Sequence, residues 1–225
     1  MLLSTENSIK YIEDGVLEHN ARLEDLRANF IQLRDFTDSI GGSDGIFLQL
    51  ACLVEKPKKI MEIGTWIGVS TYSMAQASDA LIYTCDQGSD NFFMADAEDS
   101  YTNRIIRHPD THSSEFLKKM NGGFDFVFVD GWLTDTDVKD IFAKCEDKFT
   151  FITHDYYRSE EPKPVFCKGR YAVKRMITYA WEIGYGTELF PTDPAWLPHG
   201  YHLEGFGGIN ACCAMLKFDK RRTIC

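Results

Sequence analysis

The stretch that decides the fold reads Lys59-Ile60-Met61-Glu62-Ile63-Gly64-Thr65-Trp66-Ile67-Gly68-Val69-Ser70-Thr71. The apolar residues 60–63 predict a short buried strand, which Gly64 ends. A helical pattern begins at Val69, so a strand, a turn and a helix follow one another directly. Gly64 lets a ligand come close to the backbone, and the start of a helix offers N–H donors without partners. The stretch therefore predicts a ligand-binding turn, which is called the glycine turn below (residues 64–68).

Length and composition describe a folded domain with a sizeable core. The chain has 225 residues, of which 44% are hydrophobic and 13% aromatic, as in ordinary globular proteins. Its net charge of −10 argues against nucleic acid as a partner, because a general basic surface is needed to bind phosphates. The chain shows neither a signal-peptide pattern nor an apolar run of membrane-spanning length. We therefore expect a cytoplasmic protein that binds no membrane.

The cysteines are expected to be reduced thiols. Their number is odd and no two of them have the C-x-x-C spacing, so neither a disulfide framework nor a zinc site is indicated. The seven positions are Cys52, Cys85, Cys145, Cys167, Cys212, Cys213 and Cys225.

The N-terminal part of the chain differs in pattern from the rest. Residues 1–37 carry apolar side chains at helical intervals among many charges, which predicts one or two amphipathic helices that pack on the core. A lid over the substrate or a contact in a homodimer is the alternative. The predicted organisation is an N-terminal helical extension at residues 1–42, followed by one main domain at residues 43–225.

In the main domain, short β-rich runs alternate with helical patterns. We predict strands at residues 60–63, 81–85, 104–107, 124–129, 149–153, 187–190 and 211–218, and helices at 46–54, 69–77, 114–120, 135–145 and 170–183. Ser43 or Asp44 is the expected cap of the first of these helices. Alternating strands and helices form a parallel sheet with helices on both faces. The fold class is therefore α/β, with a doubly wound, mostly parallel sheet of seven strands.

Polar side chains follow four of the predicted strands at the point where each strand stops. They are Glu62, Asp86, Asp130 and the pair His154-Asp155. In an open parallel sheet, the ligand crevice lies outside the carboxyl ends of the strands. We therefore expect these side chains to meet in one cleft.

The spacing of the glycines distinguishes between ligands. A dinucleotide-binding turn needs G-x-G-x-x-G, whereas this chain has only Gly64 and Gly68 in the turn. Glu62 would repel a pyrophosphate and would suit a cationic amino group. Asp86 lies 24 residues after Glu62 (86 − 62), a suitable distance for binding ribose hydroxyls after a strand–helix–strand unit. A nucleoside joined to an amino acid satisfies both requirements.

The motif Glu62-x-Gly64-x-x-x-Gly68 with Asp86 resembles that of the class I S-adenosylmethionine-dependent methyltransferases. The context is most similar to their small-molecule O-methyltransferase-like branch, over residues of about 43 to 158. That context is Asp44-Gly45-Ile46-Phe47-Leu48, Glu62-Ile63-Gly64-Thr65, Ser70-Thr71, Phe124-Asp125-Phe126-Val127-Phe128-Val129-Asp130-Gly131 and Thr153-His154-Asp155-Tyr156. The resemblance implies a Rossmann-like methyltransferase fold whose C-terminal strand is antiparallel.

The resemblance also implies roles for single residues. The methionine part of S-adenosylmethionine would be held by Glu62, Gly64, Thr65 and Gly68. The ribose would be bound by Asp86, and the adenine by His112 and Ser113. Asp130 would face both the methionine part and the methyl acceptor.

Two routes for the acceptor proton stay open. In metal-dependent relatives, an acid at the position of Asp130 binds a divalent ion together with an Asp-Asn pair, where this chain has His154-Asp155. Asp130 and Asp155 could still bind Mg²⁺, which prefers oxygen ligands. Alternatively His154 could act as a general base, since its ordinary pKa of ~6.5 suits proton removal near neutral pH. In either case we expect the catalytic residues to be Asp130, His154 and Asp155.

The predicted activity is methyl transfer to a hydroxyl of a small aromatic or glycosidic molecule. The Asn/Asp-Pro-Pro-Tyr/Phe/Trp motif of many amino methyltransferases is missing from the chain, which disfavours nucleic-acid bases as acceptors. The aromatic-rich residues 191–208, with Trp132, Tyr156 and Tyr157, are expected to shape the acceptor pocket. A protein that binds S-adenosylmethionine without catalysis is one alternative, and a nicotinamide-dependent oxidoreductase is another.

Overall fold

The computed structural model describes residues 2–3, 5–30, 42–88, 101–156, 168–191 and 213–220. The helices are α1 (Thr5–Phe30), α2 (Gly42–Glu55), α3 (Val69–Ala77), α4 (Ser113–Lys119), α5 (Asp135–Lys144) and α6 (Lys168–Glu182). The strands are β1 (Leu2–Leu3), β2 (Lys59–Ile63), β3 (Leu81–Cys85), β4 (Ile105–His108), β5 (Phe124–Val129), β6 (Cys145–Thr153), β7 (Gly186–Pro191) and β8 (Ala214–Asp219).

The strands form one sheet in the order β1-β7-β8-β6-β5-β2-β3-β4. All the strand pairs are parallel except those of β8, which runs antiparallel to β6 and to β7. The predicted seven-stranded doubly wound sheet with an antiparallel C-terminal strand is confirmed. β1, which has two residues, adds a short eighth strand beside β7.

The centre of the sheet is formed by β2 and β5, which pair in parallel register from Ile60↔Phe126 to Ile63↔Val129. Four of the five residues of β2 and five of the six residues of β5 are buried, as expected for strands covered by helices on both faces. The two strands end together at their carboxyl ends. The residues that follow them, Gly64 and Asp130, are therefore adjacent in space.

Helix α1 packs on the core, as predicted. Four of its apolar side chains are buried with those of α2 and of the central strands, and Tyr11 Oη donates a hydrogen bond to Glu55 Oε1 of α2 at 2.8 Å. None of the helices in the described ranges is both long enough and apolar enough to cross a membrane. The division between residues 1–42 and 43–225 stays a prediction. The buried residues of α1 are Ile12, Val16, Leu23 and Leu26.

Most element bounds agree with the sequence, and the differences have local causes. α2 begins at Gly42, so Ser43 and Asp44 lie in its first turn and the predicted capping is wrong. β6 begins at Cys145 because Cys145 pairs with Phe124 of β5 across a register shift. The described cysteines are free thiols: Cys52, Cys85, Cys145 and Cys213. The predictions for Tyr157 and for residues 192–208 fall outside the described residues.

Candidate cofactor and acceptor site

The glycine turn lies tightly against the end of β5. Gly64 has a φ of +98°, and a Cβ added there would lie 2.6 Å from the carbonyl oxygen of Asp130. The backbone N–H of Asp130 donates to the carbonyl of Ile63 at 2.8 Å, and that of Gly64 donates to the carbonyl of Cys85 at 2.9 Å. Only glycine fits this conformation and this space without strain. The turn therefore connects the ends of β2, β3 and β5.

Glu62 lies beneath the glycine turn and is fully buried. The hydroxyl of Ser70 donates to Glu62 Oε1, and that of Thr71 donates to Oε2. Burial raises the pKa of Glu62 to about 7, although the hydrogen bonds from Ser70, Thr71 and Thr84 act in the opposite direction. Glu62 thus holds the first turn of α3 against β2, and its predicted contact with the methionine part stays a prediction.

Asp86 connects the glycine turn with the loop after β3. Its carboxylate accepts the backbone N–H of Trp66 at 2.8 Å through Oδ2 and that of Gly88 at 2.7 Å through Oδ1. Trp66 has a φ of +47°, a conformation that costs a non-glycine residue on the order of 1–3 kcal/mol. The hydrogen bond to Asp86 helps to hold the turn in this conformation.

An open cleft of about 330 Å³ lies at the carboxyl ends of β2, β3 and β5. It brings the glycine turn, the loop after β3 and the start of α4 to one place, as the sequence predicts. Ser113 contributes to the lining, whereas the neighbouring His112 is exposed and Thr65 is buried in a hydrogen bond with Thr84. The lining consists of Ile63, Gly64, Cys85, Asp86, Gln87, Thr111, Ser113, Asp130, Gly131, Trp132 and Lys168.

Beside the cleft lies a group of five charged or ionisable side chains, called the polar cluster below. His154 Nδ1 lies 3.3 Å from Asp130 Oδ1 and 3.5 Å from Asp155 Oδ1, and His154 Nε2 lies 3.4 Å from Asp44 Oδ2. Lys168 Nζ lies 3.3 Å from Asp130 Oδ1 and 3.3 Å from Asp155 Oδ2. The three predicted catalytic residues are thus brought together. The members are Asp44, Asp130, His154, Asp155 and Lys168.

The polar cluster raises the pKa of its histidine. Burial alone would lower the pKa of His154, but the hydrogen bonds to Asp130 and Asp44 and their charges outweigh it and raise the pKa to about 10. Burial would likewise raise the pKa of Asp130, yet His154 and Lys168 hold it below its usual value. An imidazolium has no free lone pair with which to accept a proton. The raised pKa therefore disfavours His154 as a general base at neutral pH in the free protein, and that hypothesis stays a prediction.

The donors in the polar cluster match the predicted divalent-metal site only in part. Asp130, His154 and Asp155 offer ligand atoms that lie within 4.8 Å of one another. However, Lys168 Nζ lies between the two carboxylates, in contact with both. A histidine ligand must also be a neutral imidazole, whereas the neighbouring acids raise the pKa of His154 and favour its cationic form. The arrangement therefore does not fit Mg²⁺ at Asp130 and Asp155 unless Lys168 and His154 both move.

Two members of the polar cluster were missed by sequence reasoning. Asp44 was interpreted as a helix cap, but its carboxylate contacts His154 Nε2 and accepts a 3.4 Å hydrogen bond from Cys213 Sγ. Lys168 lies at the start of α6, where a lysine is ordinarily solvated. Its neighbour Gly169 carries the one local signal, a glycine in a helix. That signal points to close packing and not to a charge.

Comparisons with known proteins agree with this geometry. A family model described as a methyltransferase domain matches residues 61–155. A search of curated protein sequences gives no significant match. Among solved structures, the O-methyltransferase TomG from Streptomyces achromogenes, in complex with S-adenosylmethionine, is similar with a TM-score of 0.57 at 16% identity, over 88% of each chain.

Two further solved structures have a similar fold at comparably low sequence identity. The O-methyltransferase from Bacillus cereus in complex with S-adenosylhomocysteine has a TM-score of 0.54 at 16% identity and covers 88% of this chain and 90% of its own. A methyltransferase from Podospora anserina bound to S-adenosylhomocysteine has a TM-score of 0.54 at 17% identity, over 97% of each chain. At these identities, the likeness shows the fold.

The sheet order and the matched residues agree with each other. Residues 61–155 match a methyltransferase domain, and the sheet has the Rossmann-like fold of methyltransferases. Two of the similar structures are those of O-methyltransferases, which is consistent with the resemblance described in the sequence.

Proposed function

We propose that this protein transfers the methyl group of S-adenosylmethionine to a hydroxyl of a small molecule. One observation carries the proposal: Asp130 and Lys168 belong both to the lining of the cleft and to the polar cluster. A methyl donor in the cleft would therefore lie next to charged groups that can hold an acceptor hydroxyl. The sulfonium makes the methyl group electrophilic, so the protein mainly has to align the acceptor and provide for its proton.

The cofactor would use the glycine turn and the loop after β3. Gly64 lines the cleft, so the methionine part would lie against its backbone, with Thr65, Gly68 and Glu62 supporting the turn. The Asp86 carboxylate already accepts two backbone N–H groups, but each carboxylate oxygen has a second lone pair. Ribose hydroxyls can therefore add to the existing hydrogen bonds. The adenine would lie toward Ser113, with His112 at the exposed margin.

The reaction balances with groups of this chain. The acceptor O–H bond breaks and its proton passes to a carboxylate of the polar cluster, Asp130 or Asp155. The acceptor oxygen forms a bond to the methyl carbon while the S–CH₃ bond breaks, and neutral S-adenosylhomocysteine remains. His154, as an imidazolium between these carboxylates, holds their orientation. It therefore acts through the carboxylates and does not itself take the proton.

Aromatic side chains favour an aromatic or glycosidic acceptor. Trp132 lines the cleft, is about half exposed, and has its ring 5.7 Å from that of Tyr171. Tyr156 follows Asp155 directly and is buried. Flat rings and sugar faces both pack well on such surfaces. The acceptor would thus lie between Trp132 and the polar cluster.

Three predictions concern Mg²⁺ binding, the cellular location and the oligomeric state. Binding of Mg²⁺ by Asp130 and Asp155 would require the rearrangement of Lys168 and His154, so no step is assigned to a metal. A cytoplasmic location follows from the sequence expectations alone. The same holds for a homodimer that uses the N-terminal helices.

Release of S-adenosylhomocysteine tests the proposal. The full chain is incubated with S-adenosylmethionine and a panel of phenols and glycosides, with MgCl₂ or with EDTA. We expect release that depends on an acceptor and that is lost when Asp130, His154 and Asp155 are replaced together by Asn, Gln and Asn. Turnover that survives this triple replacement would refute the catalytic assignment.

The two alternatives give different results in the same series. A non-catalytic S-adenosylmethionine binder would bind the cofactor in a calorimetric titration and release no S-adenosylhomocysteine with any acceptor. A nicotinamide-dependent oxidoreductase would bind NAD in that titration instead.

A further inference from the structure

Lys168 is the one lysine among the described residues that line the cleft. Its side chain is largely buried, and its ammonium group lies 3.3 Å from Asp130 Oδ1 and 3.3 Å from Asp155 Oδ2. A solvated lysine at a helix start would point outward, because burying an ammonium group is costly unless it is paired. The two carboxylates supply that pairing. They also hold the cation at the edge of the cleft.

Gly169, next to Lys168, allows α6 to pack closely against the end of β6. A Cβ added at Gly169 would lie 2.1 Å from the carbonyl oxygen of His154 and 2.9 Å from the backbone nitrogen of Tyr156. Any other residue at 169 would push the start of α6 away from the end of β6. Gly169 thus lets α6 come close enough for Lys168 to reach the acids. This observation is independent of the ion pairs.

Lys168 offsets part of the negative charge that a metal ion would neutralise. Asp130 and Asp155 contribute two negative charges, and the ammonium of Lys168 lies in contact with both of them. A Mg²⁺ ion bound to Asp130 and Asp155 would lie about 2.0–2.1 Å from their oxygens. Such an ion would be in direct repulsion with the ammonium of Lys168. The position of a metal is thus filled by a cation of the chain itself.

We propose, resting on the proposed function, that Lys168 is a catalytic residue that binds the acceptor oxygen in place of a divalent metal. An ammonium group has three N–H donors, and two of them face Asp130 and Asp155. The third donates to the acceptor oxygen, which gains negative charge as its proton passes to a carboxylate. Methyl transfer then proceeds without Mg²⁺.

Three variants on α6 test this role. Lys168→Met removes the charge and keeps most of the side-chain volume, and Lys168→Arg keeps the charge. Lys174→Met is the matched control, because Lys174 is exposed on the same helix. Each variant is assayed for S-adenosylhomocysteine release with a series of phenols of increasing pKa, in EDTA and in MgCl₂. Binding of S-adenosylmethionine is measured by calorimetry.

We expect wild-type turnover to change less than twofold between EDTA and MgCl₂. Lys168→Met should lower kcat about a hundredfold, in the range found for the loss of one donor to a developing oxyanion. The loss should grow with the pKa of the phenol, which a merely structural role would not produce. Lys168→Arg should keep kcat within about tenfold of wild type, and Lys174→Met should not change it.

Three results would overturn the proposal. One is wild-type activity that disappears in EDTA and returns with MgCl₂. This result uses wild type alone, so it does not depend on whether a variant folds. Another is full turnover in Lys168→Met, and the third is an equal loss for all phenols. If wild type binds S-adenosylmethionine but releases no product with any acceptor in either buffer, the proposed function itself fails. That result differs from the three above, in which methyl transfer occurs but does not depend on Lys168 as proposed.

Discussion

The cofactor side and the acceptor side of the site are built in different ways. The cofactor side, from Glu62 to Asp86, uses one continuous segment and consists mainly of backbone contacts at the glycine turn. The acceptor side, the polar cluster, collects charged side chains from α2, β5, the end of β6 and α6. Backbone geometry tolerates few substitutions, whereas a group of charges can be rearranged. We therefore expect the cofactor side to determine which cofactor binds. The acceptor side would determine how the acceptor reacts.

Gly64→Ala should have the largest effect and should damage the cofactor side. The added Cβ would lie 2.6 Å from the carbonyl oxygen of Asp130 at a φ of +98°, so the end of β5 has to move. We expect the affinity for S-adenosylmethionine to fall about a thousandfold, or ~4 kcal/mol, in a calorimetric titration.

Gly184→Ala is the matched control for that experiment. Gly184 also has a positive φ, +80°, but an added Cβ would meet nothing within 4 Å. It lies between α6 and β7, away from the cleft lining. The control should lose on the order of 1–3 kcal/mol of stability from backbone strain and keep its cofactor affinity. Equal losses of affinity in both variants would mean that strain, and not the contact with Asp130, is responsible.

His154→Gln should have the next largest effect and should damage the acceptor side alone. Glutamine carries no positive charge, so it cannot hold Asp130 and Asp155 as the imidazolium does. We expect turnover to fall about a hundredfold, at the lower end of acid–base contributions, with cofactor affinity unchanged within threefold. Asp44→Asn, which weakens the contact with His154 Nε2 and removes the negative charge next to Cys213 Sγ, should cost about tenfold. If cofactor affinity fell as much as turnover did, the two sides would not be separable.

Glu62→Gln tests a buried ionisable group of the cofactor side. Burial raises the pKa of Glu62 to about 7, above its usual value in an unfolded chain, so the folded state binds the proton more tightly. This contribution to stability is complete below the unfolded pKa and is lost as the pH rises through about 7. Between pH 5.5 and pH 8, the free energy of unfolding of wild type should therefore fall by about 2 kcal/mol relative to that of Glu62→Gln. Urea unfolding at both pH values measures this difference, and parallel pH profiles would contradict it.

Ser113→Ala should have the smallest effect. The Ser113 hydroxyl lies in the cleft lining and donates to Asp137 Oδ2 at 3.2 Å. The Ser113 oxygen can also accept a hydrogen bond from the adenine. The loss of one such bond is worth ~1 kcal/mol, so cofactor affinity should fall about threefold to fivefold. The control is Ser114→Ala. Ser114 is the next residue of α4 and does not line the cleft, so this variant should bind the cofactor with unchanged affinity. A larger loss in Ser114→Ala would move the predicted adenine position.

The cofactor side was predictable because its signals are local. The β2–turn–α3 order, the bounds of α3 and the polar strand ends follow from adjacent residues in the chain. The start of β6 was not predictable, since the residues after Cys145 are polar and exposed and carry no strand pattern. Pairing with β5 determines that start.

The acceptor side was predictable only in part. Asp130, His154 and Asp155 follow buried strands, so their meeting could be expected from the sheet alone. Lys168 is 38 residues away from Asp130, and its role depends on the close packing at Gly169. The protonated state of His154 depends on Asp44 of α2, a residue whose local pattern resembles a helix cap. Such long-range electrostatic effects have no signature in a single sequence.

The proposed reaction moves the methyl group from sulfur to oxygen. It is tested most directly by NMR with S-adenosylmethionine carrying a ¹³C label in its methyl group, incubated with the full chain and the acceptor that gives most S-adenosylhomocysteine. We predict that the labelled signal moves from the sulfonium position to that of a methyl ether, and that this occurs in EDTA. A label that stays on sulfur with every acceptor, or that appears on nitrogen or carbon, would contradict the account.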